Sequence, residues 1–152
     1  EQALLKALIA GGFKTPKKNI LLTIGSLEDK VDMLPSIQML KEKGFSFFAT
    51  KNTHNFLESR GVTSAMLNKI SEPRSPNIKE YLEKRRIDLV INIPTHSSGN
   101  EQTDGYFIRR IATDQGIPLI TNVQLAKRII EALYQEDIES LPLLRWPDLL
   151  QD

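Results

Sequence analysis

The stretch FFATKNTHN, residues 47–55, indicates how the chain folds, because it changes from apolar to polar at one point. The apolar run stops at Thr50, and three polar positions follow it. Thr53 is then expected to open a short helix that runs to Arg60, with Gly61 just past its end. The stretch therefore predicts a strand, a tight turn and a helix start.

This helix start has two interpretations on sequence grounds. A helix N-terminus carries unpaired backbone N–H groups and a partial positive charge of about half an elementary charge. Threonine hydroxyls beside it form a natural cradle for an anion such as phosphate. The alternative is that Thr53 only caps the helix, since threonine is an ordinary capping residue.

Strand-like and helix-like segments alternate five times along the chain. Short apolar runs predict strands at residues 19–24, 45–49, 62–67, 87–93 and 117–121. Helical spacing predicts helices at residues 30–43, 54–60, 77–85, 106–115 and 123–133, and Gly44, Gly61 and Gly116 end three of them. The alternation predicts an α/β fold, a three-layer sandwich in which a five-stranded parallel sheet has helices on both faces.

Three helix starts are predicted from single residues. Pro35 favours a first helix that begins between residues 32 and 34, where a proline in the first turn is tolerated. An earlier start, with a kink at the proline, is the alternative. Ser75 and Pro76 are expected to cap and open the third helix, and Asn122 to cap the fifth.

Bulk composition restricts the kinds of protein this chain can be. Its 152 residues fit one domain, and its contents of 40% hydrophobic and 26% charged residues are those of an ordinary globular protein. With no cysteine, the chain has no thiol nucleophile, disulfide or cysteine zinc site, and it is compatible with the cytoplasm. A net charge of +1 predicts no nucleic-acid partner, and apolar runs of six residues or fewer predict no membrane span.

The loops that follow the predicted strands carry the polar side chains that could bind a ligand. In an open parallel sheet these loops gather beyond the carboxyl ends of the strands, where ligands bind. Their lysines, hydroxyls and amide suit a phosphorylated small molecule and are poor at proton transfer. One member of the pair Arg109 and Arg110 is expected to point outward, and the other to meet an acid or reach the site. The predicted binding residues are Lys30, Thr50, Thr53, Lys69, Asn92 and Thr95.

No cofactor and no metal are expected. The chain contains no P-loop, dinucleotide fingerprint or nucleophile elbow. His54 and His96 have no second histidine or cysteine at ligand spacing, so a surface or capping role is favoured for both. No two carboxylates are forced together by their sequence positions, so no acid–base pair is predicted.

The chain resembles the methylglyoxal-synthase-like domain at the C-terminus of the carbamoyl-phosphate synthetase large chain, across residues 14–133. The resemblance implies a regulatory domain, in which a small effector tunes carbamoyl phosphate synthesis performed elsewhere in the large chain. The matching residues are Leu21-Leu22-Thr23, Asp29-Lys30, Ala49-Thr50 with Thr53, Asn68-Lys69 with Glu72 and Arg74, Val90-Ile91-Asn92, Ile108-Arg109-Arg110, Ile117-Pro118-Leu119 and Thr121-Asn122.

The resemblance also implies roles for single residues. In bacterial members that bind UMP or IMP, the phosphate is held at the positions of Lys30, Thr50, Thr53 and Lys69, and an asparagine ends the fourth strand, as Asn92 does here. This sequence departs from them at Pro94, where they have a threonine; the nearest hydroxyl is that of Thr95. Animal members that respond to N-acetylglutamate have a tryptophan where Lys69 stands, so Lys69 favours a nucleotide effector.

The same resemblance implies boundaries and partners. Residues 1–13 are expected to be the tail of a preceding synthetase domain, residues 14–135 the methylglyoxal-synthase-like domain, and residues 136–152 a tail that packs on the domain or on a neighbour. The implied partners are the rest of the large chain and its glutaminase subunit, and a homo-oligomer is a further option.

Two other functions stay open on sequence grounds. Methylglyoxal synthase, which acts on dihydroxyacetone phosphate, shares the fold, but it needs an acidic base in a glycine-rich loop after the third strand. Here residues 69–74 contain neither glycine nor aspartate, and Asp104 matches at most a second acidic position. A module for oligomer assembly is the third interpretation.

Overall fold

The computed structural model describes residues 18–95 and 104–135. Strands and helices alternate strictly along the described chain. The strands are β1 (Asn19–Ile24), β2 (Ser46–Ala49), β3 (Ala65–Met66), β4 (Leu89–Ile93) and β5 (Leu119–Ile120). The helices are α1 (Leu27–Glu42), α2 (Lys51–Ser59), α3 (Ile78–Glu83), α4 (Asp104–Gln115) and α5 (Val123–Gln135).

The five strands form one parallel sheet in the order β3-β2-β1-β4-β5. The central strand β1 pairs with β2 on one side and with β4 on the other, so that Leu21 lies between Phe48 and Val90. The chain moves outward from β1 through β2 to β3 and then returns to the other side of β1. The direction of winding therefore reverses between β1 and β4.

Side chains of the central strands alternate between two hydrophobic cores, one on each face of the sheet. Ile20 and Leu22 face a core shared with α1, α2 and α5, whereas Leu21 faces a core shared with α3 and α4. Continuous apolar runs such as that of β1 follow from burial on both faces. The predicted three-layer α/β sandwich is confirmed.

The predicted strands and helix ends agree with the structure where single residues carry a strong signal. The bounds of β1 are those predicted. Gly44, Gly61 and Gly116 have positive φ angles of 87°, 78° and 70° just past the ends of α1, α2 and α4. The predicted cap at Asn122 is also confirmed, since its Oδ1 accepts a hydrogen bond of 2.9 Å from the Leu125 N–H. The strands β3 and β5 are shorter than predicted.

The predicted starts of three helices are wrong. Helix α1 begins at Leu27, because the Ser26 hydroxyl caps it by accepting from the Asp29 N–H, so Pro35 lies inside the helix. Helix α2 begins at Lys51 with Thr50 as its N-cap, not at Thr53. Helix α3 is capped by the side chain of Asn77, which accepts from the Lys79 N–H, and not by Ser75.

The predicted segments 1–13 and 136–152 lie outside the described residues, as does His96. Within residues 18–95 and 104–135, no helix is both long enough and apolar enough to cross a membrane.

Candidate functional site

The candidate site is a crevice at the carboxyl ends of β1 and β4, where the direction of winding reverses. Loops that leave two neighbouring strands toward opposite faces of a sheet open a gap between them, which is the usual ligand position in such folds. The gap here is a cavity of about 500 Å³. It lies at the edge of the sheet that the loop argument predicted.

All six predicted binding residues line this one cavity. Lys30 comes from α1, Thr50 and Thr53 from the start of α2, and Lys69 from the loop after β3. Asn92 and Thr95 come from the end of β4 and the residues after it. The chain therefore brings together side chains that lie up to 65 positions apart in sequence.

Lys30 is a buried cation, with only 8% of its surface exposed. Burial lowers the pKa of its ammonium group from the usual value, because an apolar surrounding disfavours the charged form. None of the ion pairs or hydrogen bonds found within residues 18–95 and 104–135 involves its Nζ. An anionic ligand in the crevice would supply the negatively charged partner that the Lys30 ammonium group lacks among the described residues.

The N-terminus of α2 also lines the crevice, through Thr50, Asn52 and Thr53. The first hydrogen bond of this helix runs from the His54 N–H to the Thr50 carbonyl at 2.7 Å, so the N–H groups of residues 51–53 have no acceptor in the helix. The Thr50 side chain makes no capping bond. Its hydroxyl and these N–H groups together form an anion-binding arrangement.

Thr53, predicted either to bind phosphate or only to cap its helix, lines the cavity and also bonds to the end of β1. Its side chain is buried, and its Oγ1 accepts from the Ile24 N–H and donates to the Ile24 carbonyl, both at 3.3 Å. It thus joins the first turn of α2 to the end of β1. The hydroxyl proton is already used within the protein, so Thr53 shapes the crevice wall more than it offers a donor.

A chain of hydrogen bonds crosses the floor of the crevice. Asn92 Nδ2 donates to Thr23 Oγ1 at 2.6 Å, and Arg109 Nη1 donates to Asn92 Oδ1 at 2.9 Å. Asn92 and Thr23 are direct neighbours in the pairing of β1 with β4. These hydrogen bonds fix the orientation of the Asn92 amide and hold the Arg109 guanidinium at the cavity. Arg110 is exposed and lies outside the cavity.

Lys69 is held in place through its backbone. Asn77 Nδ2 donates to the Lys69 carbonyl at 2.6 Å and to the Glu72 carbonyl at 2.9 Å. The carboxylate of Asp104, at the start of α4, accepts from the Ile70 N–H at 2.8 Å and from the Ser71 N–H at 3.2 Å. The Lys69 side chain itself is exposed and free to turn toward a ligand.

Gly25 lets the loop after β1 approach the residues after β4 closely, which sets the width of the crevice there. Its N–H donates to the Ile93 carbonyl at 2.9 Å. A Cβ at this position would lie 2.9 Å from the Thr95 nitrogen and closer still to Thr95 Cγ2. Only glycine fits here without a shift of the residues after β4.

Sequence reasoning missed several residues of the site. Thr23 carried a usable signal, since it is a polar residue in an otherwise apolar strand. Asp104 was named only as a match to a second acidic position of methylglyoxal synthase, and its hydrogen bonds could not be predicted because its two partners lie 33 and 34 residues away. The lining residues that were not predicted are Thr23, Ile24, Gly25, Asn52, Ile93, Pro94, Asp104, Gly105 and Arg109, of which Arg109 had been named as one of two alternatives.

The described part of the crevice has more positive than negative side chains. Three cations line it, Lys30, Lys69 and Arg109, against one carboxylate, Asp104, which already accepts two backbone N–H groups. His54 lies elsewhere, with Nδ1 at 2.6 Å from the Ser64 hydroxyl. No cluster of three or more potential metal ligands occurs within the described ranges.

These features define a class of protein: a doubly wound α/β domain whose switch-point crevice is lined, in its described part, by more cationic than anionic side chains. The chain belongs to the MGS-like domain family, whose family model matches residues 32–121.

Similar chains are parts of much longer proteins. The chain is 41% identical over 140 residues to "Multifunctional protein pyr-3" of Neurospora crassa, covering 87% of this chain and 8% of that protein. It is 34% identical to "Multifunctional protein CAD" of Squalus acanthias, covering 98% of this chain and 8% of that protein. It is 32% identical to "Carbamoyl phosphate synthase large chain" of Agathobacter rectalis, covering 93% of this chain and 13% of that protein.

A solved structure agrees with the fold. The methylglyoxal synthase of Elizabethkingia anophelis superposes with a TM-score of 0.61 over 80% of this chain and 82% of that one, at 18% sequence identity. At this identity the likeness supports the architecture alone.

Proposed function

We propose that this chain is the effector-binding, regulatory domain of a carbamoyl phosphate synthase large chain, alone or within a multifunctional protein. The effector is a phosphorylated small molecule such as UMP or IMP. One observation supports this proposal above the others: a buried lysine with no partner among the described residues, a second lysine, an arginine and the N-terminus of α2 converge on one cavity of about 500 Å³.

The phosphate would lie between Lys30, Lys69 and the start of α2. Lys30 and Lys69 supply charge, Thr50 and the free N–H groups of α2 supply donors, and Thr53 and Asn92 hold the walls. Charge-assisted hydrogen bonds of this kind are about twice as strong as neutral ones. Arg109 and Thr95 line the cavity beside this position and would contact the rest of the ligand, and neither a metal nor a cofactor is needed.

Regulation would follow from differential binding. A ligand that contacts loops after β1, β2, β3 and β4 prefers the one arrangement in which all four approach it. It shifts the parent synthetase by the difference in its affinity for the alternative arrangements, typically about 1–3 kcal/mol. In this proposal residues 1–13 are the tail of a preceding synthetase domain, residues 14–135 are the effector-binding domain, and residues 136–152 pack on it or on a neighbour. The parent is a cytoplasmic synthetase with a glutaminase subunit, and its carbamoyl phosphate serves pyrimidine or arginine synthesis.

A thermal-shift experiment on the 152-residue chain tests the proposal. We expect UMP or IMP to raise the melting temperature, and Lys30→Ala to abolish the rise, because the phosphate loses its buried partner. Lys84→Ala is the matched control, since Lys84 is exposed at the end of α3 and does not line the cavity.

Other outcomes would replace the proposal. A shift with N-acetylglutamate and none with either nucleotide would indicate the animal type of regulation. Formation of methylglyoxal from dihydroxyacetone phosphate would indicate a lyase. Asp104, the carboxylate that lines the described crevice, already accepts two backbone N–H groups, which favours a structural role for it over the role of a catalytic base in a lyase.

A further inference from the structure

Helix α1 is apolar on the face that it turns to solvent. Leu27 is 65% exposed and Val31 47% exposed, Pro35 is exposed and Leu34 is partly buried. These four side chains, at positions i, i+4, i+7 and i+8, form one stripe along the helix, which we call the α1 stripe. The opposite face of α1 is the one that enters the core, through Met33, Ile37 and Leu40.

A surface helix normally turns polar side chains outward. The α1 stripe breaks this rule over more than two turns, and no element within residues 18–95 and 104–135 covers Leu27 or Val31. Contiguous exposed apolar residues of this kind mark a contact surface. The question is which segment occupies it.

The C-terminal end of α5 lies beside the C-terminal end of α1. The Tyr134 hydroxyl donates to Glu42 Oε2 at 2.9 Å, and Lys43 Nζ lies 5.3 Å from the centre of the Tyr134 ring. Asp32 and Lys127 join the same two helices nearer their N-termini, at 2.7 Å. The last described turn of α5, which ends at Gln135, therefore lies next to the last turn of α1.

The length of the remaining chain fits the distance to the stripe. At about 1.5 Å of rise per residue, Pro35 lies about 10 Å and Leu27 about 22 Å along α1 from Glu42. The five residues 136–140 extend to about 17 Å at about 3.3 Å per residue. The residues after them are mostly apolar and include Leu141, Leu143, Leu144, Trp146, Leu149 and Leu150.

The charges of residues 136–140 and of the end of α1 also favour a position of this segment along α1. The first part of the segment carries Glu136, Asp137 and Glu139. The last described turn of α5 lies beside the end of α1, where Lys41 and Lys43 are exposed and the Lys41 ammonium group donates to the Gly61 carbonyl at 2.9 Å. Acidic residues next to the lysines would place the apolar residues over the stripe.

We propose that residues 136–152 dock on the α1 stripe, with the side chains of Leu141, Leu143, Leu144 and Trp146 against Leu27, Val31 and Pro35. This contact is separate from the ligand crevice, although both use α1. The segment covers the outer side of the helix that carries Lys30 into the crevice. It thus connects the chain beyond the domain to the element that contacts the effector.

The sequence offers a direct probe of this contact. Trp146 is the only tryptophan, and the chain has no cysteine. A nitroxide attached to Gln38→Cys would lie on the solvent face of α1 next to Pro35, because Gln38 is exposed three residues further along the helix. Nitroxides quench tryptophan fluorescence at short range, so we expect the label to reduce Trp146 emission at least twofold in the full 152-residue chain.

Two controls make the experiment decisive. The same label on Lys84→Cys, at the end of α3 on the other face of the sheet, is expected to leave the emission unchanged. Adding Val31→Asp to the Gln38→Cys chain is expected to restore the emission and shift it to longer wavelength, because a carboxylate in the stripe prevents docking. Val31 is exposed, so this substitution leaves the fold intact.

Two results would overturn the proposal. Unquenched emission with the label at either position would show that Trp146 is not near α1, as it would be if residues 1–17 occupied the stripe instead. Quenching of an unlabelled chain by a labelled chain that carries Trp146→Phe would assign the stripe to a second copy. Neither of these results concerns phosphate binding, so the proposed function is tested separately.

Discussion

In the proposed function, Lys30 is the residue at which ligand binding and stability oppose each other. Its side chain is largely buried and its ammonium group has no partner among the described residues, which costs free energy in the ligand-free chain and, in that function, prepares the site for a phosphate. Binding sites often keep such unfavourable groups because function requires them. We expect Lys30→Met to raise the stability of the ligand-free chain and to remove the thermal shift with UMP or IMP.

The effect of Lys30→Met should depend on pH. A lowered pKa in the folded chain means that, between that pKa and the unfolded value of 10.5, the unfolded chain binds more protons. The stability of the unsubstituted chain therefore rises with pH in that window, and its disadvantage relative to Lys30→Met shrinks as pH approaches 10.5. Urea unfolding at a series of pH values measures this, with Lys84→Met as control; a difference independent of pH would contradict the assignment.

At the scale of whole elements, Asp104 joins α4 to the loop that carries Lys69. Its carboxylate accepts the Ile70 and Ser71 N–H groups, and hydrogen bonds to charged groups are worth about 1.5–3 kcal/mol. We expect Asp104→Ala to lower the free energy of unfolding by about 2 kcal/mol in urea titrations. It should also weaken ligand binding about tenfold or more, because the loop no longer holds Lys69 at the crevice.

Asp114 provides the matched control for this substitution. It lies on the same helix, is exposed and makes no recorded hydrogen bond or ion pair within the described chain. Asp114→Ala should change the free energy of unfolding by no more than about 0.5 kcal/mol and leave ligand affinity unchanged. Equal losses for the two variants would show that Asp104 has no special role in the loop.

Sequence patterns predicted the elements that depend on local signals. Buried strands such as β1 are continuous apolar runs, and the glycines after α1, α2 and α4 have the positive φ that ends a helix. The start of α1 was misplaced because Pro35 favoured a start near residue 32. The helix begins earlier, since the Ser26 hydroxyl caps it by accepting from the Asp29 N–H. The start of α2 was ambiguous because Thr50 and Thr53 are both ordinary capping residues.

The six predicted residues line one cavity because parallel strands bring their carboxyl ends to one edge, which can be predicted without knowing the strand order. The hydrogen bonds inside the site can be predicted only when the strand order is known. Thr23 and Asn92 meet because β1 lies next to β4, and Thr53 contacts Ile24 because α2 packs against the end of β1. Contacts between residues 29 to 69 positions apart leave no local pattern in the sequence.

At the scale of the whole molecule, both cores share one sheet. Leu21 and Leu22 are neighbours in β1, yet each belongs to a different core, so neither core can be lost without the other. We expect one cooperative unfolding transition in urea. A saturating ligand at about 100 times its Kd should raise the free energy of unfolding by about 2.7 kcal/mol without a change in the m-value.

Lys30→Ala serves as the control for this measurement, since it should show the same single transition and no increase with ligand. Two separate transitions, seen as different midpoints by fluorescence and by circular dichroism, would contradict the shared sheet.

The position of β1 between β2 and β4 also determines when the crevice can first exist as the chain is synthesised. One wall of the crevice comes from residues 19–66, which contain β1, β2 and β3, but the other wall needs Asn92, which is 69 residues after Thr23. Closing a contact over that separation is slow compared with local pairing. The crevice of a nascent chain is therefore incomplete until β4 has emerged and inserted beside β1. In the proposed function, the chain cannot bind effector until most of the domain has been translated.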